Sequence, residues 1–81
     1  MIKYCVYEGF EQLDSFKTLK EAREYATKYI NESIPYYRKV FGAYNAEQIT
    51  IAKETYKLIS FKNNVKLYRL TDKKEISNFL I

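Results

Sequence analysis

The alternation of apolar and polar side chains predicts a β-hairpin at the start of the chain. Residues 2–7 alternate with the period of two that a strand requires, and they are rich in strand-forming residue types. Glu8 and Gly9 follow as a turn, because glycine adopts positive φ without steric cost. Residues 10–16 are predicted to return as a second strand with a less regular alternation.

A second hairpin is predicted near the end of the chain. Residues 56–61 and 65–70 read as strands, and Asn63 and Asn64 between them tolerate the left-handed backbone of a tight turn. Apolar residues fall on both parities of these strands: Leu58 and Leu70 on one, Ile59 and Phe61 on the other. We therefore expect this hairpin to be packed on one side and partly covered on the other.

A capping box marks the start of a helix in the first half of the chain. The Thr18 hydroxyl can accept a hydrogen bond from the Glu21 amide, and the Glu21 carboxylate can reach back to the Thr18 amide. Apolar residues then recur at helical spacing: Leu19, Ala22, Ala26, Tyr29 and Ile30. This pattern predicts a helix over residues 19–32.

Two further segments carry mixed helical signals. Residues 31–35 interrupt the first helix, and a second short helix with Pro35 in its first turn is predicted to end at Gly42. Residues 46–55 fit both a helix and a strand, and we expect a helical start that turns into a strand before Tyr56.

The last residues predict one more helix, because Asp72 and Glu75 form another capping box. Apolar residues follow at helical spacing: Ile76, Phe79 and Leu80. The whole pattern predicts a single α+β domain over residues 1–81. Its small antiparallel sheet is built from two hairpins, with two to four helices packed mainly on one face.

The composition removes the usual catalytic groups. Histidine is absent, so no Ser-His or Cys-His pair can form. Cys5 is the only cysteine, which leaves too few ligands for the usual zinc sites. The two glycines are isolated and form no phosphate-binding loop. We therefore expect no catalytic residues, no metal site and no cofactor, and we predict that the protein is not an enzyme.

The charge is concentrated in the second half of the chain. Residues 35–81 hold nine basic and four acidic residues, whereas residues 1–34 hold five basic and six acidic ones. Such an asymmetry predicts a positively charged face that attracts phosphate or an acidic protein surface. No apolar run is long enough to span a membrane, and no signal-peptide core precedes Glu8, so a cytoplasmic location without membrane contact is expected.

One group of candidate binding residues lies in the predicted second helix: Tyr36, Tyr37, Arg38 and Lys39. Adjacent helical residues point about 100° apart, so the two tyrosines cannot both face one core. We expect one of them to be exposed beside the two cations, as in a binding hot spot. The competing interpretation is structural, with Tyr37 packed and Tyr36 covering a neighbouring seam.

A second group of candidate binding residues lies on the predicted hairpin: Lys57, Lys62, Lys66, Tyr68 and Arg69. A basic two-stranded ribbon can lie along a nucleic-acid groove. The competing interpretation is that the lysines protect an edge strand from aggregation.

The size and composition resemble those of many small accessory proteins of bacteriophages and mobile elements. With its many tyrosines and its charged face, the sequence predicts a non-enzymatic binding module that inhibits or redirects a host protein stoichiometrically. RNA or DNA binding through the basic half is the first alternative, and self-association as a homodimer or structural component is the second.

Overall fold

The fold is a four-stranded antiparallel sheet with a long helix on one face. The computed structural model describes the backbone of residues 1–41 and 49–78, and the side chains of residues 1–33 and 49–76. The elements in chain order are β1 (Ile2–Glu8), β2 (Glu11–Phe16), α1 (Leu19–Phe41), β3 (Ile49–Lys62) and β4 (Val65–Asn78). The strands lie in the order β2-β1-β3-β4, and every neighbouring pair is antiparallel.

The core lies between α1 and the part of the sheet formed by β1, β2 and the first residues of β3. Residues four apart on α1 share one face, and alternate residues of β1 and β3 point towards that face. These positions hold the fully buried apolar residues: Val6, Ala22, Ala26, Ile30, Ile49 and Ile51. Half-buried aromatic rings line the edge of this core, and Phe16 packs on Tyr25 there with the ring centroids 5.2 Å apart.

Local signals in the sequence fix the start of α1 and both turns. The Thr18 hydroxyl accepts from the Glu21 amide at 3.2 Å, which confirms the first bond of the predicted cap. The Glu21 carboxylate accepts from the Thr18 hydroxyl at 2.9 Å, in place of the predicted bond from the Thr18 amide. Gly9 has a φ of +59° in the first hairpin. Asn63 and Asn64 have φ values of 53° and 62°, the pair of positive values that a tight type I′ hairpin turn requires.

The second hairpin is much longer than the sequence pattern predicted, and most of it stands clear of the core. Strand β1 pairs with β3 only as far as Thr55, and a further main-chain hydrogen bond joins Tyr56 to Met1. Beyond this point β3 and β4 pair only with each other. We call residues 57–70 the ribbon. The molecule accordingly measures 50 Å along its longest axis and 22 and 18 Å across it.

The number of helices was predicted wrongly. Helix α1 continues through residues 31–35 to Phe41, so Pro35 lies inside one long helix and not in the first turn of a second one. The predicted helix end at Gly42 lies outside the described residues. It is the only helix within residues 1–41 and 49–78, in place of the predicted two to four. None of the described helical residues forms a segment long and apolar enough to cross a membrane.

The predicted last helix is also wrong over the described residues, because β4 continues to Asn78. Phe79 and Leu80, which were part of that prediction, lie outside the described residues. Pairing with β3 satisfies the backbone of residues 72–78, and Ile76 packs against the core from a bulge in the strand. Within the ambiguous segment 46–55, the strand begins at Ile49, while residues 46–48 lie outside the described part of the chain. The sheet of two hairpins with its helix on one face is as predicted.

The expectation that the second hairpin is packed on one side is wrong as well. Every residue from Phe61 to Glu75 is exposed, as are Lys57, Leu58 and Ile59. The ribbon is exposed for a geometrical reason. Helix α1 contacts β1, β2 and β3, and β1 ends level with Thr55, before the ribbon begins.

Candidate interaction surface

The strand register divides the ribbon into two chemically different faces. Directly opposed residues share a face, and Leu58 lies opposite Tyr68 while Phe61 lies opposite Lys66. Tyr68 and Lys66 are two apart on an unbulged part of β4, so both pairs lie on the same face. The sequence pattern had placed Leu58 and Phe61 on opposite parities. Ile59 overturns that prediction, because it is the extra residue of a β-bulge that shifts the alternation.

We call the first face the apolar ribbon face and define it by Leu58, Phe61, Tyr68 and Leu70. Seven apolar side chains of the ribbon as a whole are exposed: Leu58, Ile59, Phe61, Val65, Leu67, Tyr68 and Leu70. Their exposed fractions run from 39% for Tyr68 to 60% for Phe61. Four of the seven lie together on the apolar ribbon face, and such a cluster of exposed apolar side chains is the usual mark of a site for another macromolecule.

The opposite side of the ribbon, which we call the basic ribbon face and define by Lys57, Lys62 and Arg69, also carries the exposed Val65 and Leu67. Lys57 lies directly opposite Arg69, and Lys62 lies opposite Val65. Two like charges in opposed positions repel each other, so this face is stabilised when an acidic group from outside approaches it. The sequence has no aspartate or glutamate from residue 55 to residue 71 to supply that group.

A buried carboxylate lies on the sheet face turned away from α1, next to the point where the ribbon leaves the sheet, which we call the ribbon root. Glu54 is 2% exposed and accepts hydrogen bonds from the hydroxyls of Tyr7 and Tyr56, the latter at 2.5 Å. Lys3 and Lys73 lie on the two flanking strands directly opposite Glu54. The cluster therefore ties β1 to β3 at the point where the ribbon leaves the sheet.

The hydrogen bonds decide the ionisation of this cluster. Burial alone would raise the pKa of Glu54, but the bonds from Tyr56 and Tyr7, with smaller contributions from Cys5 and Lys73, outweigh burial and hold the pKa below its usual value. The bond to Glu54 raises the pKa of Tyr56 to about 12. Burial, with the neighbouring Glu54 charge, raises the pKa of Tyr7 and brings that of the Cys5 thiol to about 11.

The two lysines of this region cover the tyrosine rings. The Lys73 amine lies 4.1 Å from the centroid of the Tyr7 ring, and the Lys3 amine lies 5.6 Å from that of Tyr56. Beside them an open cleft of about 330 Å³ runs towards Phe10, whose ring is fully exposed at the first turn. Each carboxylate oxygen of Glu54 accepts one tyrosine hydrogen bond, and we assign the cluster a structural role where the ribbon begins.

No protein-family model, curated protein or solved structure matches this chain. The surface chemistry of the described residues therefore carries the functional argument.

The ribbon brings together one of the two predicted groups of binding residues. Lys57, Lys62, Lys66, Tyr68 and Arg69 are all exposed on it. Tyr36, Tyr37, Arg38 and Lys39 lie in the last third of α1, and their side chains fall outside the described ones, so the exposure of a tyrosine there stays a prediction.

Sequence reasoning missed the Glu54 cluster. Tyr7 and Glu54 are 47 residues apart, and only the pairing of β1 with β3 brings them together. One signal was available, since Glu54 shares its parity with Ala52 and Tyr56 in a strand-forming run. Within the described residues, no three His, Cys, Asp or Glu side chains are grouped as a metal site.

Proposed function

We propose that this protein is a stoichiometric binding module whose ribbon inserts into a groove on a protein partner. The observation that carries the proposal is the set of seven exposed apolar side chains on an arm outside the core. A small accessory protein of the kind found in bacteriophages, which inhibits or redirects a host protein, fits this surface and the small size of the chain. The proposal requires no turnover and no cofactor.

The size of the apolar surface sets the expected affinity. Full burial of one such side chain contributes about 1.5–3 kcal/mol, and these are roughly half exposed, so each has about 1 kcal/mol left to gain. Together they supply about 5–10 kcal/mol, which is comparable to the cost of association of about 4–15 kcal/mol. Attraction between the four ribbon cations and an acidic rim on the partner is therefore needed for tight binding.

Capture followed by quantitative binding tests the proposal. The tagged protein is incubated with a lysate of its source cells, captured proteins are identified, and the binding of each purified protein is measured by calorimetry. Phe61→Ser should weaken the binding of a genuine partner at least about tenfold, because aromatic anchors dominate such interfaces. Phe10→Ser is the matched control, since it removes an exposed ring that is not on the ribbon.

The outcomes separate the ribbon from other surfaces. Weakening by Phe61→Ser alone supports the assignment, provided that both variants keep the thermal midpoint of the parent. Equal weakening by both variants, or by neither, would show that the ribbon is not the binding surface.

Nucleic-acid binding is the second candidate, and the basic ribbon face is the observation that favours it. Lys57, Lys62 and Arg69 are exposed on one side of a ribbon without acidic residues. Phosphate neutralisation would make the affinity fall steeply with salt. At about 20 mM salt, charges are only weakly screened. If the protein changes the gel mobility of neither duplex DNA nor single-stranded RNA under this condition, nucleic-acid binding is excluded.

A further inference from the structure

The outer edge of β4 is a long strand edge without a neighbour. The sheet order ends at β4, and within the described residues its 14-residue edge pairs with no other strand. Such edges are templates for another strand. Beyond Tyr56 the ribbon is only two strands wide, and a two-stranded hairpin by itself is marginally stable in water. Both observations favour a further strand along β4.

The ribbon half of this edge carries only basic charges, and the half next to the core carries both signs, because Lys73 and Lys74 lie there between two acidic residues. Lys66 and Arg69 lie in the ribbon half, and Asp72 and Glu75 lie in the half next to the core. All four side chains are exposed, and none has an ion pair among the described residues. One register of two antiparallel copies of β4 sets Lys66 and Arg69 of each copy opposite Glu75 and Asp72 of the other. The same register sets Lys73 and Lys74 opposite the uncharged Tyr68 and Leu67.

We propose that β4 pairs antiparallel with β4 of a second copy, in the register that sets Arg69 opposite Asp72 and Lys66 opposite Glu75. The proposal is independent of the function proposed above. The strand that pairs with this edge is β4 of a second copy, because the charges of β4 complement those of another β4 in this register.

The bulge in β4 makes this register geometrically consistent. Arg69 shares a face with Lys57, and Asp72 shares a face with Thr55. The extra residue Thr71 shifts the alternation between them, so Arg69 and Asp72 lie on the same face although they are three residues apart. The same shift places Lys66 and Glu75 together on the other face. Without the bulge, each would meet a residue pointing the opposite way.

The neighbouring registers are excluded by their charges. Sliding the second strand by two residues in one direction sets Lys66 opposite Lys73, and sliding it in the other direction sets Arg69 opposite Lys74. Like charges in opposed positions are destabilising. In the proposed register, Asp72 of the second copy also comes close to the repelling pair of Lys57 and Arg69.

The paired copies would form a continuous sheet of eight strands, four from each copy. The two-fold axis is perpendicular to the sheet, so both apolar ribbon faces lie on one side and both helices on the other. Each ribbon then lies beside the root of the other, where it gains the third strand that it lacks in a single chain.

Charge exchange tests the proposal in the purified full chain by sedimentation equilibrium. Arg69→Asp and Asp72→Arg should each raise the dimer dissociation constant at least tenfold, because each variant sets like charges opposite one another. The double variant with both changes should dimerise like the parent. Mixing the two single variants should yield a heterodimer, since both of its pairs are again of opposite sign.

The proposal would be overturned by a parent protein that stays monomeric up to millimolar concentration, by a dimer that tolerates both single changes, or by the absence of a heterodimer on mixing. Phe61→Ser keeps the β4 edge and should leave the dimer intact. A dimer that dissociates on that change would be held by the apolar ribbon face instead and would also refute the β4 register. Urea unfolding of each variant verifies that it is folded.

Discussion

Replacing Glu54 by alanine should destabilise the protein strongly. The carboxylate is 2% exposed and holds the hydroxyls of Tyr7 and Tyr56 at the junction of β1, β3 and the ribbon. Removal of Glu54 leaves both hydroxyls without their acceptor and ends the side-chain link between the two strands.

The expected loss follows from the two hydrogen bonds. A bond to a charged group contributes about 1.5–3 kcal/mol, which gives about 3–6 kcal/mol for the pair. Both tyrosines are only half-buried, and their freed hydroxyls can reach water, so we expect a net loss of about 2–4 kcal/mol. A domain of this length has about 4–12 kcal/mol of stability in total. The variant should therefore fold but unfold at a much lower urea concentration.

Urea unfolding followed by far-ultraviolet circular dichroism measures this loss. Glu24→Ala, an exposed carboxylate on α1, is the control and should change the free energy of unfolding by less than about 0.5 kcal/mol. Tyr56→Phe should cost less than Glu54→Ala, and the double variant should cost less than the sum, because the two residues share one bond. Equal stability of the Glu54→Ala and Glu24→Ala variants would refute the role assigned to the cluster.

Three further predictions concern pH, the second turn and the helix cap. Because the pKa of Glu54 is lowered in the folded protein, its contribution to the free energy of unfolding is present above the usual glutamate pKa of about 4.3 and is lost as the pH falls through the folded pKa. Urea titrations at pH 3 and pH 6 should therefore show that acid destabilises the parent more than the Glu54→Gln variant. Asn64→Val places a β-branched residue at a φ of 62°, and the resulting backbone strain should speed amide hydrogen exchange in the ribbon, whereas Asn64→Gly should not. If both variants keep the exchange rates of the parent, the turn does not impose that strain. Thr18→Ala should cost about 1 kcal/mol and Thr18→Ser much less, and equal thermal midpoints would show that the cap is dispensable.

The features that could be predicted from the sequence depend on residues that are close together in the chain. The cap at Thr18 and the turn at Asn63 and Asn64 each act within four residues. The predicted bond from the Glu21 amide to Thr18 and the predicted left-handed backbone of the turn are both present. The helical spacing that follows the cap likewise identifies the buried side of α1.

The wrong predictions concern elements that distant residues decide. Asp72 and Glu75 carry a sound helix signal, yet pairing with β3 makes this segment a strand. The exposed ribbon was unpredictable for the same reason, since apolar residues are normally read as core and nothing local shows that β1 ends level with Thr55. Tyr7 and Glu54 meet only through the pairing of β1 with β3, so the site at the ribbon root has no contiguous motif.

A ribbon without contacts to the core can change length without disturbing it. Each cross-strand pair added or removed next to Asn63 and Asn64 would alter the reach of the arm by about 3.3 Å, while the six core residues keep their packing. Addition or removal of two pairs at a time would also preserve which face each side chain occupies. If the ribbon binds in a groove as we propose, its length among natural variants of this chain should vary with the depth of that groove.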